Sequence, residues 1–215
     1  INGISADRGG LDYILHEGDV ERWDYHDWGH QMFIPAIIGD YQEPFLHGVG
    51  GEILPTIITY DADEFRDDAH EIKNSLNKLG VKETSIKFSS ELSDVEREGF
   101  NIILIGHPTN KLIKELMDNH KKLGFFIYFE DKKIVVLNPR GEGVKKSGGA
   151  VILATQNPWN PEGTGAFENV VWIITGTDEE EIEYAAAILS GEHELLRNYF
   201  GVFIHNEEVI SVPCT

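Results

Sequence analysis

Cysteine is almost missing from this chain. The single one, Cys214, stands beside the last residue, so no internal disulfide can close and no cysteine-based metal site can form. Positive charge is scarce as well: 18 Lys and Arg face 37 Asp and Glu, a formal net charge of −19. That field repels nucleic acid and anionic membrane surfaces, so neither is an expected partner. No run approaches the roughly 18 consecutive apolar residues of a membrane span. Phosphate- and dinucleotide-binding signatures are missing too, since neither G-x-x-x-x-G-K-[ST] nor G-x-G-x-x-G occurs. Covalent catalysis finds little support: Ser89, Ser90 and Ser147 lie in no G-x-S-x-G elbow, and Cys214 sits where chain ends fray. We therefore assign no catalytic residue and lean against an enzyme. The opening INGISADRGG has no initiator Met, charged n-region or apolar h-region, and reads as the start of a piece excised from a longer protein.

What is present suffices for a folded core, because 41% of the 215 residues are hydrophobic. The texture changes near Gly50. Residues 1–50 are rich in aromatics, His, Gly and Pro without a helical or strand period, and we expect an irregular arm packed on the domain. Residues 51–215 alternate β-branched runs with helical patterns, the mark of βαβ units. ILPTIITY, TSIKFS, FNIILIG, GAVILATQN and NVVWIITG read as strands, and FFIYFED meets KKIVVLNP in a hairpin across Asp131-Lys132. GVFIHNEEVISVP closes the chain as a strand or small hairpin. Phe65, Ala69, Ile72, Leu76 and Leu79 form one face of a helix, with Asp63 as N-cap and Gly80 as C-cap. A second helix presents Leu112, Ile113, Leu116 and Met117 to the sheet; DEEEIEYAAAILSG is a third, and EHELLRNY a short fourth. Continuous apolar strands such as Val170 to Ile174 belong where both faces of a sheet are covered. The expected fold is a three-layer α/β sandwich with a mostly parallel, mixed sheet.

In such sheets ligands sit beyond the carboxyl ends of the strands, which makes each strand-to-helix corner a candidate site. At TYDADEF, Asp61 and Asp63 can hold a divalent cation such as Mg²⁺ through their oxygens; alternatively Asp63 caps the helix and Asp61 complements its dipole. At the second corner, Gly106, His107, Thr109, Asn110 and Lys111 form a helix start able to accept an anion, or an ordinary capped turn. At the third, Thr177 and Glu180 form a capping box, and the charges of Asp178 to Glu181 suit a helix and repel a phosphate. A fourth candidate lies in the arm: Asp24, His26, Asp27 and His30 of WDYHDWGH, where His26 and His30 would bind a transition metal if helical. Tryptophans raise a binding-module alternative for carbohydrate or peptide through Trp23, Trp28, Trp159 and Trp172. Trp172 lies in an apolar run and is expected in the core, and Trp159 between two prolines is the ring expected to be exposed.

Two stretches carry a resemblance. IILIGHPTN, Ile102 to Asn110, resembles the I-L-V-G-G-P-x-x-N stretch of archaeal S-layer and S-layer-like surface proteins. NPWNPEGTGAFENVVWIITGTDEEEIEYAAAIL, Asn157 to Leu189, resembles their N-P-[FW]-N…V-L-V-V-A-G-[ST]-D-x-x-G-T-x-x-A-A stretch. His107 replaces the second Gly of the first pattern, and Glu180-Glu181 stand in the stretch where the second has Gly-Thr. The resemblance implies a non-enzymatic cell-surface domain, extracellular and archaeal, whose partners are other domains of a parent chain, cell-envelope proteins or further copies of itself. It requires no cofactor, though a divalent cation is compatible with it. Domains of this kind are also similar to modules appended to transglutaminase-like secreted proteases, in which case His30 and Asp40 echo that unit's His and Asp. A metal- or anion-dependent hydrolase using Asp61, Asp63 and His107 is the enzymatic alternative, and it requires those groups to converge in space.

Overall fold

The computed structural model describes residues 1–24 and 29–214. Among the described residues, ten strands and four α-helices follow the arm: β1 (Thr56–Tyr60), α1 (Arg66–Leu79), β2 (Thr84–Phe88), α2 (Asp94–Gly99), β3 (Asn101–Gly106), α3 (Lys111–Asp118), β4 (Ile127–Glu130), β5 (Lys133–Leu137), β6 (Gly143–Lys146), β7 (Ala150–Gln156), β8 (Val170–Gly176), α4 (Glu179–Gly191), β9 (Gly201–His205) and β10 (Glu208–Val212). Seven strands form the main sheet in the order β10-β9-β7-β8-β3-β1-β2. From β2 to β8 the neighbours are parallel; β7 is inserted antiparallel, and β9 and β10 follow in alternation. The mixed, mostly parallel α/β architecture is thus present.

Period-two alternation sorts the strand residues between two cores. Ile103 and Ile105 of β3, Val170, Trp172 and Ile174 of β8, and Ile152 of β7 face α1 and α4, in one cluster with Ile72, Leu76, Ala185 and Leu189. Ile102 and Leu104, Val171 and Ile173, and Val151 and Leu153 face the other way, toward Ile113, Leu116 and Met117 of α3 and Phe126, Ile134 and Val136 of the β4-β5 hairpin. The third layer is therefore one helix plus the three-stranded antiparallel sheet β4-β5-β6. The arm belongs to the first core: Ile4, Ala36, Ile38 and Phe45 join the Trp172 cluster, and the rings of Phe45 and Trp172 meet edge-on at 5.4 Å. Trp172 is completely buried, as its apolar run implied.

Local signals explain most boundaries. Gly80 ends α1 in the left-handed conformation, φ 112°, where a residue without Cβ carries no penalty. Asp131 and Lys132 both take positive φ, the turn that matches the twist of a two-residue hairpin, and Asn206-Glu207 do the same between β9 and β10. Three expectations are corrected. Asp63 does not cap α1: a 3-10 turn, Asp63–Phe65, intervenes, and Asp63 pairs with Arg66 at 2.5 Å instead. The cap of α4 is Asp178, which accepts the Glu181 N–H at 3.1 Å, because Thr177 turns its hydroxyl to Gly149 across the strand ends. EHELLRNY makes only the 3-10 turn His193–Leu196.

Candidate functional site

The two ends of the parallel strands are built from different chemistry. At the amino end the side chains are amides. Asn101 accepts the Val170 N–H at 3.0 Å, tying β3 to the start of β8. Asn169 donates to the carbonyls of Glu98 and Phe100 at 2.9 and 3.0 Å and accepts from Asn160 at 3.1 Å. Asn157 donates to the Arg97 carbonyl at 2.7 Å and accepts the Trp159 N–H at 2.9 Å. Gln156 donates to Ser5 and Pro35 of the arm and accepts from Phe167. All five amides, Asn160 included, are buried, and their hydrogen bonds go to surrounding backbone groups except for the Asn160 donor, which bonds the side chains of Glu168 and Asn169.

At the carboxyl end the side chains are ionisable. Asp61 follows β1 and His107 follows β3, its neighbour in the sheet, while Glu179 opens α4 just after β8 on the far side of β3. The chain leaves β1 toward β2 on one side and β3 lies on the other, with α1 and α3 covering opposite faces, so the crevice between β1 and β3 is the topological switch point of the sheet. There the His107 N–H donates to Asp61 Oδ2 at 3.0 Å. His107 Nδ1 stands 3.6 Å from Asp61 Oδ1, too long for a hydrogen bond, and Nε2 stands 3.9 Å from Glu179 Oε1. Glu64, in the turn after β1, completes the group: one ligand atom from each of Glu64, His107 and Glu179 lies within 4.8 Å of the others. Phe65 backs the imidazole with ring centroids 5.1 Å apart.

Gly106 is what permits the approach. A Cβ there would come within 2.4 Å of the Asp61 Cγ and Oδ1, so only glycine lets the carboxylate lie over the end of β3. Burial pushes the Asp61 carboxyl above its ordinary range, against the His107 N–H and imidazole, which pull it down. Its Oδ1 is buried without a hydrogen-bond partner. Among the described residues, no lysine or arginine pairs with Asp61, Glu64 or Glu179; the neighbour they share is the His107 imidazole.

The other expected residues fall as follows. Asp63 is solvent-facing, pairs with Arg66 and is not among the ligand atoms of this cluster. Asn110 caps α3, its Oδ1 accepting the Leu112 and Ile113 N–H groups at 2.9 and 3.3 Å, so those donors are spent within the helix. Thr109 and Lys111 are exposed at the same turn. His30 packs on Phe126 with ring centroids at 6.2 Å, and Asp40 is taken by the Gly3 N–H and Arg22; His26, Asp27 and Trp28 lie outside the described residues. Trp159 is partly exposed, more open than the fully buried Trp172, but not free: it donates from Nε1 to Glu115 at 2.9 Å and lies under the Arg97 guanidinium. Trp23 stays exposed. Glu64 and Glu179 escaped the sequence reading, Glu179 because a carboxylate in the first helical turn is explained by the dipole alone. The one available signal was their place just after two strands.

Cavities of about 340, 320 and 350 Å³ lie elsewhere, the first between the arm and Phe200, the second beside His193 and the third beside Glu115 and Pro158; none is lined by Asp61 or His107. No helix of the described residues is long and apolar enough to cross a membrane. Compared with known families and curated proteins, the chain matches no family model and no curated protein.

Proposed function

We propose that the chain is a non-enzymatic structural or recognition domain of an S-layer-like cell-surface protein, working outside the cell. The observation that carries this reading is the amide network. The polar residues of the resembling stretch spend their donors and acceptors within their own fold: Asn157 and Asn169 donate to backbone carbonyls of α2 and its end, while Asn160 donates to the side chains of Glu168 and Asn169 and accepts the Glu162 N–H. Side chains so used hold loops in register and are not free to attack or polarise a substrate. The acidic surface, net charge −19, keeps such a domain soluble and apart from anionic polymers. The test is co-sedimentation of the purified chain with archaeal cell-envelope fragments, run beside esterase, phosphatase and peptidase assays. Retention on the fragments with no turnover is the expected result.

One observation favours a second reading, a metal- or anion-dependent hydrolase: Asp61 and His107 do converge, at 3.6 Å. Asp63 has no part in it, because it faces Arg66. Turnover of any of those substrates that disappears in His107→Ala would replace the surface-domain reading with this one.

A further inference from the structure

We propose that Glu64, His107 and Glu179 bind a first-row divalent cation of the Zn²⁺ type, with Asp61 as the carboxylate that orients the histidine. The site goes beyond the surface-domain reading and stands whether or not that reading holds.

Three features converge on a cation. The cluster combines one imidazole with two carboxylates, the mixed nitrogen and oxygen set that suits zinc and its neighbours, whereas calcium and magnesium take oxygen ligands. Three carboxylates surround this imidazole and no lysine or arginine of the described residues neutralises them, so the missing charge is positive. The third feature is independent of charge. A histidine that binds metal through Nε2 must carry its proton on Nδ1 and give it to an acceptor, and metal-ligating histidines are routinely held by a carboxylate in this way. Here Nε2 faces Glu179, while Nδ1 faces the buried Asp61 Oδ1, an acceptor with nothing to accept. Asp61 is itself anchored by the His107 N–H through its other oxygen. The orphaned acceptor and the unspent ring nitrogen are 3.6 Å apart and are satisfied together by a small rotation of the ring.

The geometry asks for little movement. Ligands at about 2.1 Å around a tetrahedral zinc lie roughly 3.4 Å from one another. The observed atoms lie within 4.8 Å, and the two that must close in, Glu64 and Glu179, are on exposed side chains with freedom to do so. His107 is 31% exposed, so the remaining coordination position opens to solvent, where water or a partner's carboxylate can enter. Closing the site would tie the turn after β1, the end of β3 and the start of α4 to one ion.

The test uses the purified chain, stripped with EDTA and dialysed, and titrated calorimetrically with Zn²⁺ alone, then with Mg²⁺ and Ca²⁺. Cobalt(II) serves as a spectroscopic substitute. The expected result is one Zn²⁺ per chain that Mg²⁺ and Ca²⁺ do not displace, with Co²⁺ giving the intense visible bands of a four-coordinate site. Affinity should fall at least tenfold in the Glu64→Gln, Glu179→Gln double variant and in His107→Ala. Both glutamates are exposed, so the double variant keeps the test open should His107→Ala fail to fold. Asp61→Asn should weaken binding by about 10- to 100-fold while leaving the Co²⁺ band pattern unchanged, the mark of a positioning residue. Zinc binding of equal affinity in the double variant, or confined to histidines that His107→Ala does not touch, would overturn the assignment.

Discussion

The amino and carboxyl ends of the same four parallel strands solve the problem of buried polarity in opposite ways. At the amino end, Asn101, Asn157, Asn169 and Gln156 are neutral amides whose hydrogen bonds close on backbone groups of α2, β8 and the arm, and Asn160 ties in through the side chains of Asn169 and Glu168. At the carboxyl end, Asp61, Glu64, His107 and Glu179 are ionisable, only partly partnered, and short of positive charge. An amide network with every member satisfied stabilises a single arrangement; a half-satisfied charged cluster costs stability unless something else completes it. The contrast separates a closed end from an open one, and it is at the open end that the proposed cation site lies.

Breaking the closed end should have the largest effect. Asn169→Ala removes the donor to the Phe100 carbonyl, leaves the Glu98 carbonyl only the long 3.5 Å contact of Asn157, and removes one of the two acceptors of Asn160, and we expect a loss of about 3 kcal/mol in urea unfolding. A loss below about 0.5 kcal/mol would show that water replaces the amide and that this end is not closed. At the open end, Gly106→Ala drives a methyl into the Asp61 carboxylate and should cost about 2 kcal/mol. Adding Asp61→Ala should recover part of that loss, and strict additivity of the two changes would deny the contact. Asn110→Ala, which uncaps α3, is expected to cost about 1 kcal/mol, while Thr109→Ala next to it stays within about 0.5 kcal/mol of the parent.

The smallest effect is a pH dependence. Asp68, in the first turn of α1, is raised from 3.8 to about 6 by burial, by Glu183 of α4, and by Glu71 and Asp67 of its own helix. A carboxyl that holds its proton more tightly when folded stabilises the fold while protonated, so this contribution fades as pH rises from about 4 to about 6. Asp68→Asn should therefore melt higher than the parent above about pH 6 and no higher below about pH 4. The half-open position screens the interaction and keeps the difference small. A melting advantage that is the same at both pH values would mean that titration of Asp68 is not its source.

Much of the scaffold was legible. The α1 face was readable because Ala69, Ile72 and Leu76 repeat at helical spacing, and the Asp131-Lys132 turn because a short polar pair interrupts two β-branched runs; the C-terminal stretch, open between a strand and a hairpin, is the hairpin β9-β10. α2 and β6 went unseen. α2 has no apolar stripe and buries no residue, resting on the Ser93–Glu96 capping box, and all four residues of β6 are exposed. The Asx roles of Asn157 and Asn169 were equally hidden, since an amide's partners are backbone groups about 60 to 70 positions away.

The amino-acid order by itself determined the character of most elements: which apolar runs are strands, which face of α1 and α3 is apolar, that no internal disulfide forms, and that the net charge is strongly negative. Local propensity and periodicity act over a few residues and can be read there. Only the tertiary structure decided which of the many carboxylates matter. By placing β3 between β1 and β8 it brought Asp61, Glu64, His107 and Glu179, more than a hundred positions apart at the extremes, to one crevice. Strand order is a global outcome of packing two faces of one sheet, and charge proximity follows from it.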